Sequence, residues 1–164
     1  MSELLQLTFW ATFLSAAVRT AIPILCASIG EDISEKAGII NVGLEAVMLV
    51  GAFFGFAAAY LTHSLFWGFV VGMLAGMLLS LLHAFLSVYL KQDQNVAGVA
   101  LNLLATGLTS YIFQLMVNRY GIPQIETLKS VPIPLLSKIP LIGDALFNKD
   151  IVVYFSYLLV VFLV

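Results

Sequence analysis

Between Glu45 and Lys91 lie 45 consecutive residues without Asp, Glu, Lys or Arg. No water-soluble fold can be built on such a run, because soluble domains draw about a quarter of their residues from the charged types. A helix crossing a bilayer needs about 20 apolar residues, so the run reads as two spans joined by a short turn. Residues 94–118 form a second charge-free run of 25 and read as one more span. Over the 164 residues 62% are hydrophobic, and the charged set is 7 Lys+Arg with 9 Asp+Glu. The expected fold class is an all-α, polytopic membrane helix bundle.

Five segments are expected. The first covers 4–29, and an acidic connector at 30–38 leads to the second at 39–60. A turn at 61–64 precedes the third at 65–90, and a hydrophilic stretch at 91–95 precedes the fourth at 96–118. Short turns make neighbouring helices antiparallel. Residues 120–150 carry four of the five prolines (Pro123, Pro132, Pro134, Pro140) with Lys129, Lys138 and Lys149, and read as an extramembrane loop. The fifth segment starts at Ile151 and reaches Val164 after 14 residues, about 21 Å of helix, against a hydrocarbon core of about 30 Å. Residues 1–164 are therefore expected to be the N-terminal part of one transmembrane domain, with the last of about five spans cut short. The first segment lacks the basic start of a signal peptide and contains Arg19, so it is expected to stay in the mature protein.

Several function classes drop out. A net charge of -2 without a basic cluster leaves no electrostatic footprint for nucleic acid. Cys26 is the single cysteine and reads as a buried apolar thiol. His63 and His83 stand 20 residues apart with no Cys, Asp or Glu at ligand spacing, so they read as hydrogen-bonded structural histidines rather than a metal site. No GK[ST] loop, G-x-S-x-G elbow or histidine protease motif is present. The chain reads as having no catalytic residues and not as an enzyme.

Three patterns remain. Gly68, Gly72, Gly76, Ser80 and Ala84 recur every four residues in the third segment, and Gly51, Gly55 and Ala59 do so in the second, so these two segments are expected to pack closely. Asn95, Asn102, Thr106 and Thr109 fall within about 60° on the fourth helix at about 100° per residue. Such a stripe avoids lipid, and it either makes interhelical hydrogen bonds or lines a polar pathway. Third, Asn41, Gly43 and Glu45 open the second segment. A carboxylate at the start of an apolar run needs a cation, donors or water, and two glycines with an asparagine suit a helix break whose freed backbone groups line a cavity. Arg19 is the basic residue inside a clear span and the most economical ion-pair partner for Glu45, although either side chain can also snorkel to water.

These stretches resemble the permease subunits of bacterial ABC importers for nucleosides and simple sugars, the binding-protein-dependent inner-membrane components related to the ribose permease. The resemblance is carried by Arg19-Thr20-Ala21-Ile22-Pro23, by the block from Ser34 through Gly38-Ile39-Ile40-Asn41-Val42-Gly43-Leu44-Glu45 to Leu49, and by the block from Asp93 to Leu104. The chain departs from the family pattern at Ala46, where glycine is usual, and at Asn95, where an apolar residue is usual. The resemblance implies a multi-pass protein of the bacterial cell (inner) membrane that pairs with a second permease subunit, the same or a paralogue. It further implies a cytoplasmic ATP-binding subunit, an extracytoplasmic substrate-binding lipoprotein, and no cofactor of this chain's own, ATP being bound by the partner. It places Asn41, Gly43 and Glu45 at the start of a pathway helix, and a coupling helix after the span that begins at Ile151.

The expected function is therefore that of a membrane-embedded permease subunit of an ATP-driven importer, moving nucleosides or simple sugars by alternating access. The competing expectation is a secondary transporter or channel in which Glu45 carries the coupling ion. The family arrangement puts 120–150 outside the cell, whereas counting Lys36 and Lys91 against Lys129, Lys138 and Lys149 by the positive-inside rule points the other way. The margin is one charge, and the family arrangement is the one adopted.

Overall fold

The computed structural model describes residues 2–121, 124–125, 128, 131–132 and 146–163. It is helical: α1 (Ser2–Lys36), α2 (Leu44–Thr62), α3 (Leu65–Ala84), α4 (Gln94–Tyr120) and α5 (Ile151–Leu163). The first four are long and apolar enough to cross a membrane, and α5 is a shorter apolar helix. Two-residue strands β1 (Val131–Pro132) and β2 (Asn148–Lys149) pair antiparallel, Val131 opposite Lys149. Two compact units result, one of residues 1–29 with 127–164 and one of residues 30–126.

The connector expected at 30–38 is mostly helix, which corrects that expectation: α1 continues to Lys36. Polar side chains do not end a helix that emerges into water when they pair along it. Lys36 Nζ sits 2.6 Å from Asp32 Oδ2 one turn earlier, and Ser34 Oγ donates to Gly30 O. The end is set by Gly38, whose φ of 83° is open to glycine at little cost. Its N–H donates to Glu35 O and that of Ile39 to Ser34 O, the paired bonds of a Schellman stop.

Within the second unit, α2 and α3 form an antiparallel hairpin around His63, in left-handed conformation, and extended Ser64. Their contact is backbone on backbone. A methyl added at Gly68 would lie 2.8 Å from Ala59 Cβ and 2.9 Å from Gly55 O, and one at Gly72 would lie 2.9 Å from Gly51 O. Gly76 is looser, its virtual methyl meeting Val47 Cγ1 at 3.5 Å. Helix α3 ends in a π-helical turn, Phe85–Tyr89. Asp93 then caps α4, its Oδ1 accepting from Asn95 N–H and Val96 N–H. Ala46, Val50, Leu101 and Ala105 make the buried core of α2 on α4, with Phe54, Ala75, Leu79 and Leu86 around it. Most large apolar side chains, among them Phe66, Met73, Leu78 and Leu103, are exposed, the pattern of a bundle solvated by lipid. The chain is an integral membrane protein.

In the first unit α1 carries Pro23 mid-helix, where the missing N–H leaves a turn short of one bond. Buried Lys149 donates from Nζ to Ser15 O at 2.9 Å and to Ser15 Oγ. Its backbone N–H reaches Tyr154 Oη, which donates to Phe147 O. Lys149, counted above as a loop charge, is thus folded against α1. The loop expected over 120–150 falls largely outside the described residues; of its ends, Tyr120 closes α4 and β2 leads into α5.

Candidate functional site: a broken entry into the second helix

Five residues, Ile39 to Gly43, separate the Schellman stop of α1 from the first turn of α2, and they are not helical. Each freed backbone group that is shielded from water needs a partner, since leaving one unpaired costs about 1–3 kcal/mol. Side chains from two helices supply them. Ile40 N–H donates to Gln94 Oε1 at 2.8 Å, and Asn41 N–H to Glu31 Oε1 at 2.6 Å. Asn102 makes two bonds: its Oδ1 accepts from Ala46 N–H at 2.8 Å, and its Nδ2 donates to Val42 O at 3.2 Å. The two partners, one donor and one acceptor, fix which way the carboxamide points.

Such reach requires α4 to lie against the break. Gly98 provides it: a methyl there would sit 2.7 Å from Gly43 N, 2.8 Å from Val42 C and 2.8 Å from Val42 Cβ. Gln94, Gly98 and Asn102 follow one another at four-residue steps, which keeps them within about 80° on α4. This polar, small, polar stripe was available in the sequence as a signal. Glu31, Gln94 and Gly98 were nevertheless absent from the expected site residues, because Glu31 read as connector, Gln94 as turn, and Gly98 has no side chain to notice.

The expected pathway residues are distributed as follows. Asn41 is half-buried, and its Oδ1, like Glu31 Oε2, is buried without a hydrogen-bond partner among the described residues. Gly43 is buried and precedes α2, and Glu45 stands exposed in its first turn, where the helix dipole favours a carboxylate. Asn102 belongs to the break. Thr106 Oγ1 donates to Asn102 O and Thr109 Oγ1 to Ala105 O, so both hydroxyls are satisfied within α4. Thr109 is buried and Thr106 exposed. Arg19 is exposed on α1 in the first unit, whereas Glu45 belongs to the second. Gly51, Gly55, Gly68 and Gly72 form the close α2–α3 contact already described, and Gly76 continues it at ordinary distance. His83 is buried with Nε2 3.4 Å from Gln94 O, and His63 is exposed at the end of α2. No group of three His, Cys, Asp or Glu is placed to hold a metal among the described residues.

What this arrangement can do is hold a short irregular segment in place against the apolar helices α2 and α4, with two buried oxygens, Asn41 Oδ1 and Glu31 Oε2, left without a hydrogen-bond partner among the described residues. It offers no nucleophile and base pair. Comparison with known proteins gives the same kind of molecule. The chain is 40% identical over 158 residues to a Haloferax volcanii protein named as a glucose ABC transporter permease, TsgC13, covering 94% of this chain and 47% of that one. It is 32% identical over 171 residues to the guanosine ABC transporter permease protein NupQ of Bacillus subtilis, covering 97% of this chain and 50% of NupQ. It is 38% identical over 133 residues to the nucleoside ABC transporter permease protein NupC of Lactococcus lactis, covering 77% of this chain and 42% of NupC. The chain thus spans about half the length of these relatives. No solved structure matches it. Residues 13–164 match the family described as the branched-chain amino acid transport system / permease component, and the chain belongs to that family of membrane transport permeases.

Proposed function

We propose that the protein is the membrane-embedded permease subunit of an ATP-driven importer that moves nucleosides or simple sugars by alternating access. The observation that carries this reading is the broken entry into α2, a polar irregular segment held between α4 and the end of α1 in an otherwise apolar bundle. Irregular backbone beside a membrane span needs such partners from the protein, or must line a cavity. The names of the relatives supply the cargo class, glucose in one and nucleosides in two. Both cargo classes are neutral molecules carrying several sugar hydroxyls, so a pathway for either needs polar but uncharged groups. Of the two threonines, the exposed Thr106 contributes pathway surface through its position on α4, while Thr109 is buried beside it.

Its partners are a second permease subunit, the same or a paralogue, a cytoplasmic ATP-binding subunit and an extracytoplasmic substrate-binding lipoprotein, in a bacterial inner membrane. ATP binding on the partner shifts the equilibrium between inward- and outward-facing states, and cargo follows through its differential affinity for the two. Glu45 is structural and pathway-adjacent rather than a coupling-ion site, and Arg19 is its candidate ion-pair partner.

The test is uptake by the full-length permease reconstituted with its ATP-binding subunit, second permease and binding protein. Labelled nucleoside or glucose should accumulate only with ATP inside the coupling compartment, and a proton-gradient uncoupler should leave uptake unchanged. Glu45→Gln should lower uptake through reduced assembly while the remainder stays ATP-dependent. Uptake that collapses with the proton gradient while ATP is maintained would overturn the reading in favour of a secondary transporter coupled through Glu45.

A further inference from the structure

The two groups that Asn102 binds are not an arbitrary pair. Val42 C=O and Ala46 N–H stand four residues apart, the spacing of one α-helical hydrogen bond. In a helix begun one residue earlier they would bond to each other. Here Ala46 N–H goes to Asn102 Oδ1 and Val42 C=O takes Asn102 Nδ2. The first regular bond of α2 runs instead from Val47 N–H to Gly43 O at 3.2 Å. We infer that Asn102 is a wedge: its carboxamide occupies the slot of the preceding helical bond and so decides that α2 starts at Leu44.

The surroundings make this slot specific. Ala46 is 1% exposed, so water does not compete for its N–H. Gly98, one turn before Asn102, rests on Gly43 and Val42, which ties the wedge to the backbone it separates. Ile40 N–H is held by Gln94 from the same face of α4. A displacement of α4 along α2 therefore acts on the break through three residues at once. Withdrawing the wedge leaves a donor and an acceptor already at helical spacing, and their closure moves the helix start back to Gly43. Each residue added to a helix turns the preceding chain by about 100°, so Asn41 would be re-aimed about the α2 axis. Asn102 is in this sense a positioning residue that converts a shift of α4 into a rotation of Asn41. The consequence for transport rests on the permease reading proposed above; the consequence for the helix start does not.

The experiment is amide hydrogen exchange at residue resolution over 39–47 in the purified full-length complex in lipid nanodiscs, comparing the unmodified protein with Asn102→Ala. If Asn102 is a wedge, Ala46 N–H passes to Val42 C=O and its exchange stays within about threefold of the unmodified value, while Gly43 enters the helix. If Asn102 is only a tether, both groups are left unpaired and Ala46 exchanges about tenfold faster or more, which overturns the inference. Should Asn102→Ala fail to assemble, Asn102→Ser, also too short to bridge both groups, is read by the same two outcomes. Because exchange is measured without cargo or ATP, its failure is distinguishable from failure of the transport reading, which the uptake assay decides.

Discussion

Gly98→Ala tests the contact on which the whole break depends. A methyl at this position meets Gly43 N at 2.7 Å and Val42 C at 2.8 Å. Both are backbone atoms, so no rotamer change can relieve the overlap. To restore an ordinary approach of roughly 3.4 Å or more, α4 has to recede from the break by about 0.7 Å. The Asn102 bonds, at 2.8 and 3.2 Å, would lengthen toward the limit of useful hydrogen bonding. Overpacking of this kind costs about 1–3 kcal/mol, and it is partly offset by about 1 kcal/mol of better helix propensity for alanine. Gly107 on the same helix has nothing within 4 Å of its virtual methyl, so Gly107→Ala carries the propensity gain without the clash. The assay is the fraction of full-length complex that stays monodisperse on size-exclusion chromatography after a heating series, with ATP-driven uptake measured in parallel. Gly98→Ala should lose uptake by about tenfold or more and melt earlier than Gly107→Ala, which should match or exceed the unmodified protein. Equal stability and uptake for the two variants would refute the claim that close approach at Gly98 holds the break.

Two further outcomes are expected. Gly72→Leu should push α2 and α3 apart and sharply lower the yield of folded complex, because even its Cβ would lie 2.9 Å from Gly51 O, whereas Gly76→Ala should leave the yield unchanged; equal yields would contradict the packing. Ser130→Cys in a Cys26→Ser background should react with an impermeant thiol reagent in intact cells, as the extracytoplasmic placement of 120–150 requires; reaction only after the membrane is opened would reverse the orientation.

The spans were legible because their signal is additive. Forty-five charge-free residues outweigh any local ambiguity, and the boundaries of α3 and α4 and the end of α2 lie close to where the hydropathy changes; the start of α2, expected at Ile39, falls at Leu44 instead. The end of α1 was not, because polarity locates where a chain meets water and says nothing of whether its backbone stays helical there. The stop was written in Gly38, one residue, rather than in the acidic stretch before it. At the site, Asn41, Gly43 and Glu45 drew notice as polar or flexible groups in an apolar context, and Asn102 as part of a stripe. Which groups they serve was not legible. A stripe shows that side chains need partners, but the Asn102 partners are backbone atoms 56 and 60 residues away. The partners of Thr106 and Thr109 are carbonyls of their own helix, which periodicity cannot tell from a cavity.

The break also explains why its residue types are these and not stronger ones. An irregular segment leading into a helix frees N–H groups and carbonyls together, so its partners must both accept and donate. A carboxamide does both without bringing a charge into the bilayer, and Gln94 and Asn102 are carboxamides; Glu31, which only accepts when ionised, serves the single N–H of Asn41 at the last polar turn of α1. Replacing Asn102 by leucine would remove the donor and acceptor at once and fill the slot with an apolar group. Replacing it by lysine would offer donors only and add a charge costing about 2.5–3.5 kcal/mol at a helix centre. Neutral, two-way hydrogen bonding is therefore what the geometry selects, and it leaves the segment bound by exchangeable bonds of ordinary length rather than locked by an ion pair.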